Sequence, residues 1–128
     1  MNGKGKCFIN TATAVLEGRT DCTVCHGVVT GTAEKVLGVK YPHAWLEVEI
    51  DLTEIGGATI AVCVDTTHKL GPLPVSYYYQ VGKIDPESVI RSTPEQVKEM
   101  CIRHETYGPW HESLWDCIRQ IEEVQREQ

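Results

Sequence analysis

His43-Ala44-Trp45-Leu46-Glu47-Val48-Glu49-Ile50 alternates without a break. Ala44, Leu46, Val48 and Ile50 share one face, and His43, Trp45, Glu47 and Glu49 share the other. That period of two is the signature of a β-strand with one side toward a core. Working outward, Gly56-Gly57 marks a turn, and Thr59 to Thr66 is a second β run, with Ile60, Val62 and Val64 opposite Ala61, Cys63 and Asp65. The two runs are expected to be antiparallel neighbours. The connection Asp51–Ala58 is longer than a tight hairpin loop. Upstream, Cys22 to Gly31 reads as another strand, while Thr32 to Lys40 fits either a strand continuation or a loop.

Helical patterns lie on both sides of these strands. Residues 1–6 are rich in glycine and lysine and read as irregular. In Cys7 to Glu17, Phe8, Ile9, Ala12, Val15 and Leu16 form one stripe, and Gly18 supplies a stop. Lys69 to Pro74, with Gly71-Pro72, reads as a loop. Val75 to Val81 is rich in tyrosine and is expected to be a further strand. Ser92-Thr93-Pro94-Glu95 is a helix entry, with a hydroxyl N-cap, then proline at the first helical position and a glutamate. That helix is expected to reach about Glu105, before Gly108-Pro109 breaks it. A last helix carries Trp110, Leu114, Cys117, Ile118 and Ile121 on one stripe. Helix, sheet and then two C-terminal helices make an α+β fold, expected as a single domain over residues 1–128.

Composition narrows the function. The chain has 128 residues, 41% hydrophobic and 23% charged, which is a globular balance. A net charge of −6 without a visible basic patch argues against nucleic acid as a partner. No stretch of 18 apolar residues exists, so no membrane partner is expected. No secretory signal is visible, which gives the expectation of a cytoplasmic protein whose six cysteines are reduced.

Three polar residues stand where packing alone does not need them. Cys7 opens a helix, His43 begins a strand, and Asp65 ends the neighbouring strand. An aspartate near the end of an apolar β run needs a partner if it is buried, and a histidine is a natural one. A cysteine at a helix start faces unpaired N–H groups and the positive end of the helix dipole, which favour a thiolate. An imidazole can take its proton, and a carboxylate can orient that imidazole. Each residue also has a plainer reading: Cys7 as core, His43 as a surface strand residue, Asp65 as a turn cap.

These residues carry a resemblance. Lys-Cys-Phe-Ile-Asn at 6–10, His-Ala-Trp-Leu-Glu at 43–47 and Val-Asp-Thr-Thr at 64–67 resemble the transglutaminase-like, papain-related superfamily of cysteine enzymes. The order Cys, His, Asp is that superfamily's order, and the tyrosines at 77–79 resemble an aromatic segment of its small phage and bacterial members. The likeness spans roughly residues 6 to 82. It implies a papain-like core, with Cys7 as nucleophile, His43 as base and Asp65 as orienting partner. It further implies acyl transfer through a thioester: peptide hydrolysis, glutamine deamidation or transglutamination of a protein or peptide substrate. No cofactor is implied, and no calcium-loop pattern is present. Two departures stand out. Thr66 replaces the proline expected after the aspartate, and Met1 occupies the place of the papain-like oxyanion glutamine. Asn10 and backbone N–H groups remain as oxyanion donors, and Trp45 and Tyr78 as residues lining a cleft.

Other constellations compete. Cys22-Thr-Val-Cys25-His26 has haem-attachment spacing, yet its valine flanks read as a strand. A redox dithiol would want a helix N-terminus there. A structural zinc site is the runner-up, built on Cys22, Cys25 and His26, with Cys63, His68, Cys101, His104, His111 and Cys117 as further donors. The alternatives to an enzyme are thus a small zinc-stabilised interaction domain and a non-catalytic binding or inhibitor protein on the same fold.

Overall fold

Strand β2 spans Lys40–Asp51 and carries the alternating run; its neighbours follow from it. The computed structural model describes residues 6–31, 37–67 and 72–126, the last six of these as backbone only. Most of the segment 1–6, residues 32–36, His68 and the Ile121 side chain lie outside the described residues.

Strand β1 (Thr23–Thr30) pairs with β2 antiparallel, with Gly27 opposite His43 and Cys25 opposite Trp45. Strand β3 (Thr59–Val64) lies on the other side of β2, with Cys63 opposite Glu47 and Val64 opposite Leu46. Two short strands close the sheet. β4 (Leu73–Pro74) borders β3, and β5 (Ile90–Ser92) borders β1. The order is β4-β3-β2-β1-β5, antiparallel at every step.

Helix α1 (Lys6–Leu16) packs Ala12 and Val15 on Val24 and Leu46, together with Val97 of helix α3 (Pro94–His104). Register dictates which sheet face this is, since Val24 and Leu46 are directly paired. α3 opens as expected: Thr93 Oγ1 accepts from Gln96 N–H at 3.1 Å, and Gln96 Oε1 accepts from Thr93 N–H at 2.9 Å. Helix α4 (Glu112–Arg126) follows, with Leu114 buried. The α+β arrangement expected from the sequence, with an N-terminal helix on an antiparallel sheet and two C-terminal helices, is the observed one.

One element differs. Val75–Gly82 is helix α2, where a tyrosine strand was expected. A strand would have split the three rings across two sheet faces. As a helix the segment aims Val75, Tyr78 and Tyr79 (the i, i+3, i+4 set) at the sheet, against Cys25, Trp45 and Cys63. Tyr77 and Val81 face outward. The sheet therefore lies between α2 on one face and α1 with α3 on the other. Among the described residues, no helix is long and apolar enough to cross a membrane.

Candidate active site

Alternation along β2 puts His43, Trp45 and Glu47 on the α2 side. Gly27 lies opposite His43, and its lack of a side chain is required. A Cβ there would come within 2.9 Å of Trp45 Cη2. Asp65 directly follows β3, whose Val64 is opposite Leu46, so the chain delivers the aspartate beside the start of β2. His43 and Asp65 are almost entirely buried, at 3% and 4% exposure. His43 Nε2 and Asp65 Oδ2 are 2.8 Å apart. Burying that carboxylate requires several donors. Tyr78 O–H donates to Oδ2 at 2.9 Å, and Thr67 N–H donates to Oδ1 at 3.1 Å.

Cys7 comes from the first turn of α1, packed with Phe8 against Ala44. It lies near enough to His43 to help raise the imidazole's pKa. Asn10, one turn along α1, donates to Thr67 Oγ1 at 3.1 Å and ties the helix to the turn that holds Asp65.

The electrostatics separate this histidine from its neighbour. Burial alone would push His43 down. Hydrogen bonds to Asp65 and Cys7, and their negative charges, outweigh it and hold the ring's pKa at about 9. Among the described residues, His26 has no such acceptor. It lies among Phe8 and Trp110, at ring distances of 4.9 and 5.3 Å, and burial lowers it to about 4. Burial is also the first cause that raises Cys22, Cys25, Cys63, Cys101 and Cys117, and it takes Cys63 to about 12. These five thiols are held neutral.

Cys7, His43 and Asp65 are thus brought together. The three residues expected to line the cleft or bind an oxyanion have other work. Asn10 is committed to Thr67. Trp45 is 0% exposed and offers no surface to a substrate; its ring lies 6.3 Å from His43, nearly parallel to it, and backs it. Tyr78 serves Asp65 from a helix rather than from a strand. The zinc runner-up does not assemble. Cys25 and His26 are neighbours on one strand and point to opposite faces, Cys25 toward the Trp45 cluster and His26 toward Phe8. Among the described residues no group of three His, Cys, Asp or Glu side chains is placed to hold a metal ion. His68 lies outside the described residues.

Two features were not foreseen. Tyr41 sits two residues before His43 on the same strand face, its ring edge-on at 5.9 Å. Burial, and then the charges of Asp65 and Cys7, raise its hydroxyl's pKa, as befits a group near both. The period-two spacing 41, 43 was the available signal. Glu47 is a hub: Trp45 Nε1–H donates to it at 3.1 Å, Tyr79 O–H donates to the same oxygen, and Arg91 lies 3.7 Å from the other. No protein-family model, curated protein or solved structure matches this chain.

Proposed function

We propose that this chain transfers acyl groups through a Cys7 thioester, with His43 as acid and base and Asp65 as its orienting partner. The observation that carries the reading is the buried His43–Asp65 pair, hydrogen-bonded at 2.8 Å, with the buried Cys7 close enough to raise the His43 pKa. Its parts match what a thiol nucleophile needs: a helix start at the sulfur, an imidazole beside it, and a carboxylate behind the imidazole. The resemblance to transglutaminase-like and papain-like enzymes points the same way, and α1, which carries Cys7 and packs on the sheet, is compatible with such a core.

In this mechanism the Cys7 thiolate attacks the carbonyl carbon of an amide. The C–S bond forms as the carbonyl π pair moves onto oxygen. Backbone N–H groups in the first turn of α1 are the donors for that oxyanion. The intermediate collapses, the C–N bond breaks, and His43 gives its proton to the departing nitrogen. Water or an amine, deprotonated by His43, then releases the acyl group. Cys7 keeps only 4% of its surface exposed. An acyl group slender at the reacting carbon, such as a glutamine side chain or an extended peptide, meets that constraint. Hydrolysis, deamidation and transglutamination share these steps and differ in the acceptor. Six unpaired cysteines suit a reducing compartment such as the cytoplasm.

The test is a labelling experiment. Native protein receives sub-stoichiometric iodoacetamide at about pH 6, where ordinary thiols are protonated, and all six cysteines are mapped by peptide mass. Alkylation should concentrate on Cys7 and be lost in His43→Ala. Labelling spread over the half-buried Cys22, Cys101 and Cys117 would overturn the proposal.

A further inference from the structure

The Asp65 carboxylate is shared. His43 Nε2 reaches Oδ2 at 2.8 Å, and the Tyr78 hydroxyl reaches the same oxygen at 2.9 Å. Oδ1 is occupied by the Thr67 N–H. A carboxylate oxygen has two lone pairs, so both donors fit without displacing one another. They compete for the same negative charge.

We propose that Tyr78 is a positioning residue of the triad, its hydroxyl fixing the Asp65 carboxylate and limiting, by the share of Oδ2 it takes, how strongly that carboxylate holds the His43 ring. This role rests on the Cys7–His43–Asp65 reading given above. Several observations support it independently of any sequence likeness. Tyr78 stands on α2, which is anchored by Val75 and Tyr79 against the sheet. Its ring lies 5.5 Å from Trp45, which itself backs His43, so the hydroxyl is delivered on a fixed lever. Burial, then the charge of Asp65 and the bond to it, push the phenol far above its ordinary range. The hydroxyl therefore keeps its proton and acts toward the carboxylate as a donor.

The consequence has a definite sign. A hydroxyl that donates to Oδ2 withdraws charge from the bond to His43. Removing it leaves a more basic carboxylate facing the imidazole, which then holds its proton to higher pH. Among the described residues, the groups facing His43 include Cys7 from α1, Tyr41 and Trp45 beside it on β2, and Asp65 from the end of β3. Tyr78 of α2 lies behind Asp65, and β1 presents Gly27. Tyr78→Phe alters one of these and keeps the ring packing.

The experiment follows the His43 Cε1–H signal by NMR across pH in full-length wild type and Tyr78→Phe. The expected result is a midpoint shifted upward by roughly half a pH unit. In the Asp65→Asn background, where the shared carboxylate is gone, Tyr78→Phe should move the midpoint no further. A merely structural tyrosine would lower thermal stability and leave the midpoint in place. An unmoved or lowered midpoint overturns the proposal, and so does an equal shift in the Asp65→Asn background. The underlying reading fails differently: wild-type His43 would titrate in the ordinary histidine range, and Cys7 would be no more reactive toward iodoacetamide than the other thiols.

Discussion

Two buried histidines with opposite shifts should give this protein a stability maximum near pH 6.5. His26 is held down to about 4 and His43 up to about 9, against an ordinary value of 6.5 for both. Between 4 and 6.5 the unfolded chain binds a proton at position 26 that the folded chain refuses, so stability rises with pH. Between 6.5 and 9 the folded chain keeps a proton on His43 that the unfolded chain has released. Stability there falls with pH. His43's contribution is thus complete below 6.5 and lost as pH climbs through 9. Each slope is about 1.4 kcal/mol per pH unit when one proton separates the states. From about pH 5, above most carboxylates, to 6.5 the gain is about 2 kcal/mol. From 6.5 to about 8.5, below the ordinary cysteine range, the loss is about 2 kcal/mol. Against a total stability of about 5–15 kcal/mol these are large effects.

Urea unfolding followed by far-ultraviolet circular dichroism, repeated at several pH values, measures both limbs. His26→Gln should flatten the acid limb and leave the alkaline one. His43→Gln should do the reverse, because glutamine does not titrate. A wild-type profile flat from 6.5 to 8.5 would refute the thiol–imidazole–carboxylate account of His43. An acid limb unchanged in His26→Gln would refute the burial account of His26.

Gly27→Ala should destabilise by about 1–3 kcal/mol in urea unfolding through overpacking, since the new Cβ meets Trp45 Cη2 at 2.9 Å. Because Trp45 backs His43, it should also slow Cys7 alkylation, and unchanged stability would show that the ring has room to move. Thr66→Val should stabilise by about 1 kcal/mol, by removing a buried hydroxyl that has no hydrogen-bond partner among the described residues; a loss in the same assay would mean that the hydroxyl is satisfied in solution.

Much of the sheet was legible because side chains along a strand alternate between its faces. His43 to Ile50 and Thr59 to Val64 alternate, but the expected single core face does not hold for β2: α2 covers Trp45 while α1 covers Ala44 and Leu46, so both faces are buried there, and Ile50 and Ile60 are exposed. Helix α1 and the Ser92-Thr93-Pro94-Glu95 entry to α3 were readable for similar local reasons, although Ile9 and Leu16 of the expected α1 stripe are exposed and Thr11 is buried among Cys7, Phe8, Ala12 and Val15. Cys7, His43 and Asp65 were readable as candidates because a polar residue at the end of an apolar element needs a reason to be there. β5 was not readable. Three residues cannot show a period, and Ile90–Ser92 is a strand only because β1 offers it an edge.

The misreading of Val75–Gly82 shows what local pattern omits. Valine and tyrosine favour strands, and by propensity alone a strand is the better choice. What reverses it is the destination of two hydroxyls. Tyr78 must meet Asp65 and Tyr79 must meet Glu47, and both carboxylates stand on the same side of the sheet. Adjacent residues in a strand point to opposite sides, whereas in a helix they diverge by only about 100°. Only the helix can bring both to that side, and it adds Val75 to the same contact. The constraint lies in the partners, 13 and 32 residues away in sequence. No window over residues 75–81 contains it, although the spacing 75, 78, 79 was compatible with it. The element least visible to propensity is thus the one that holds the carboxylate of the proposed triad, and a helix recruited by polar partners is where tertiary demand should override local preference.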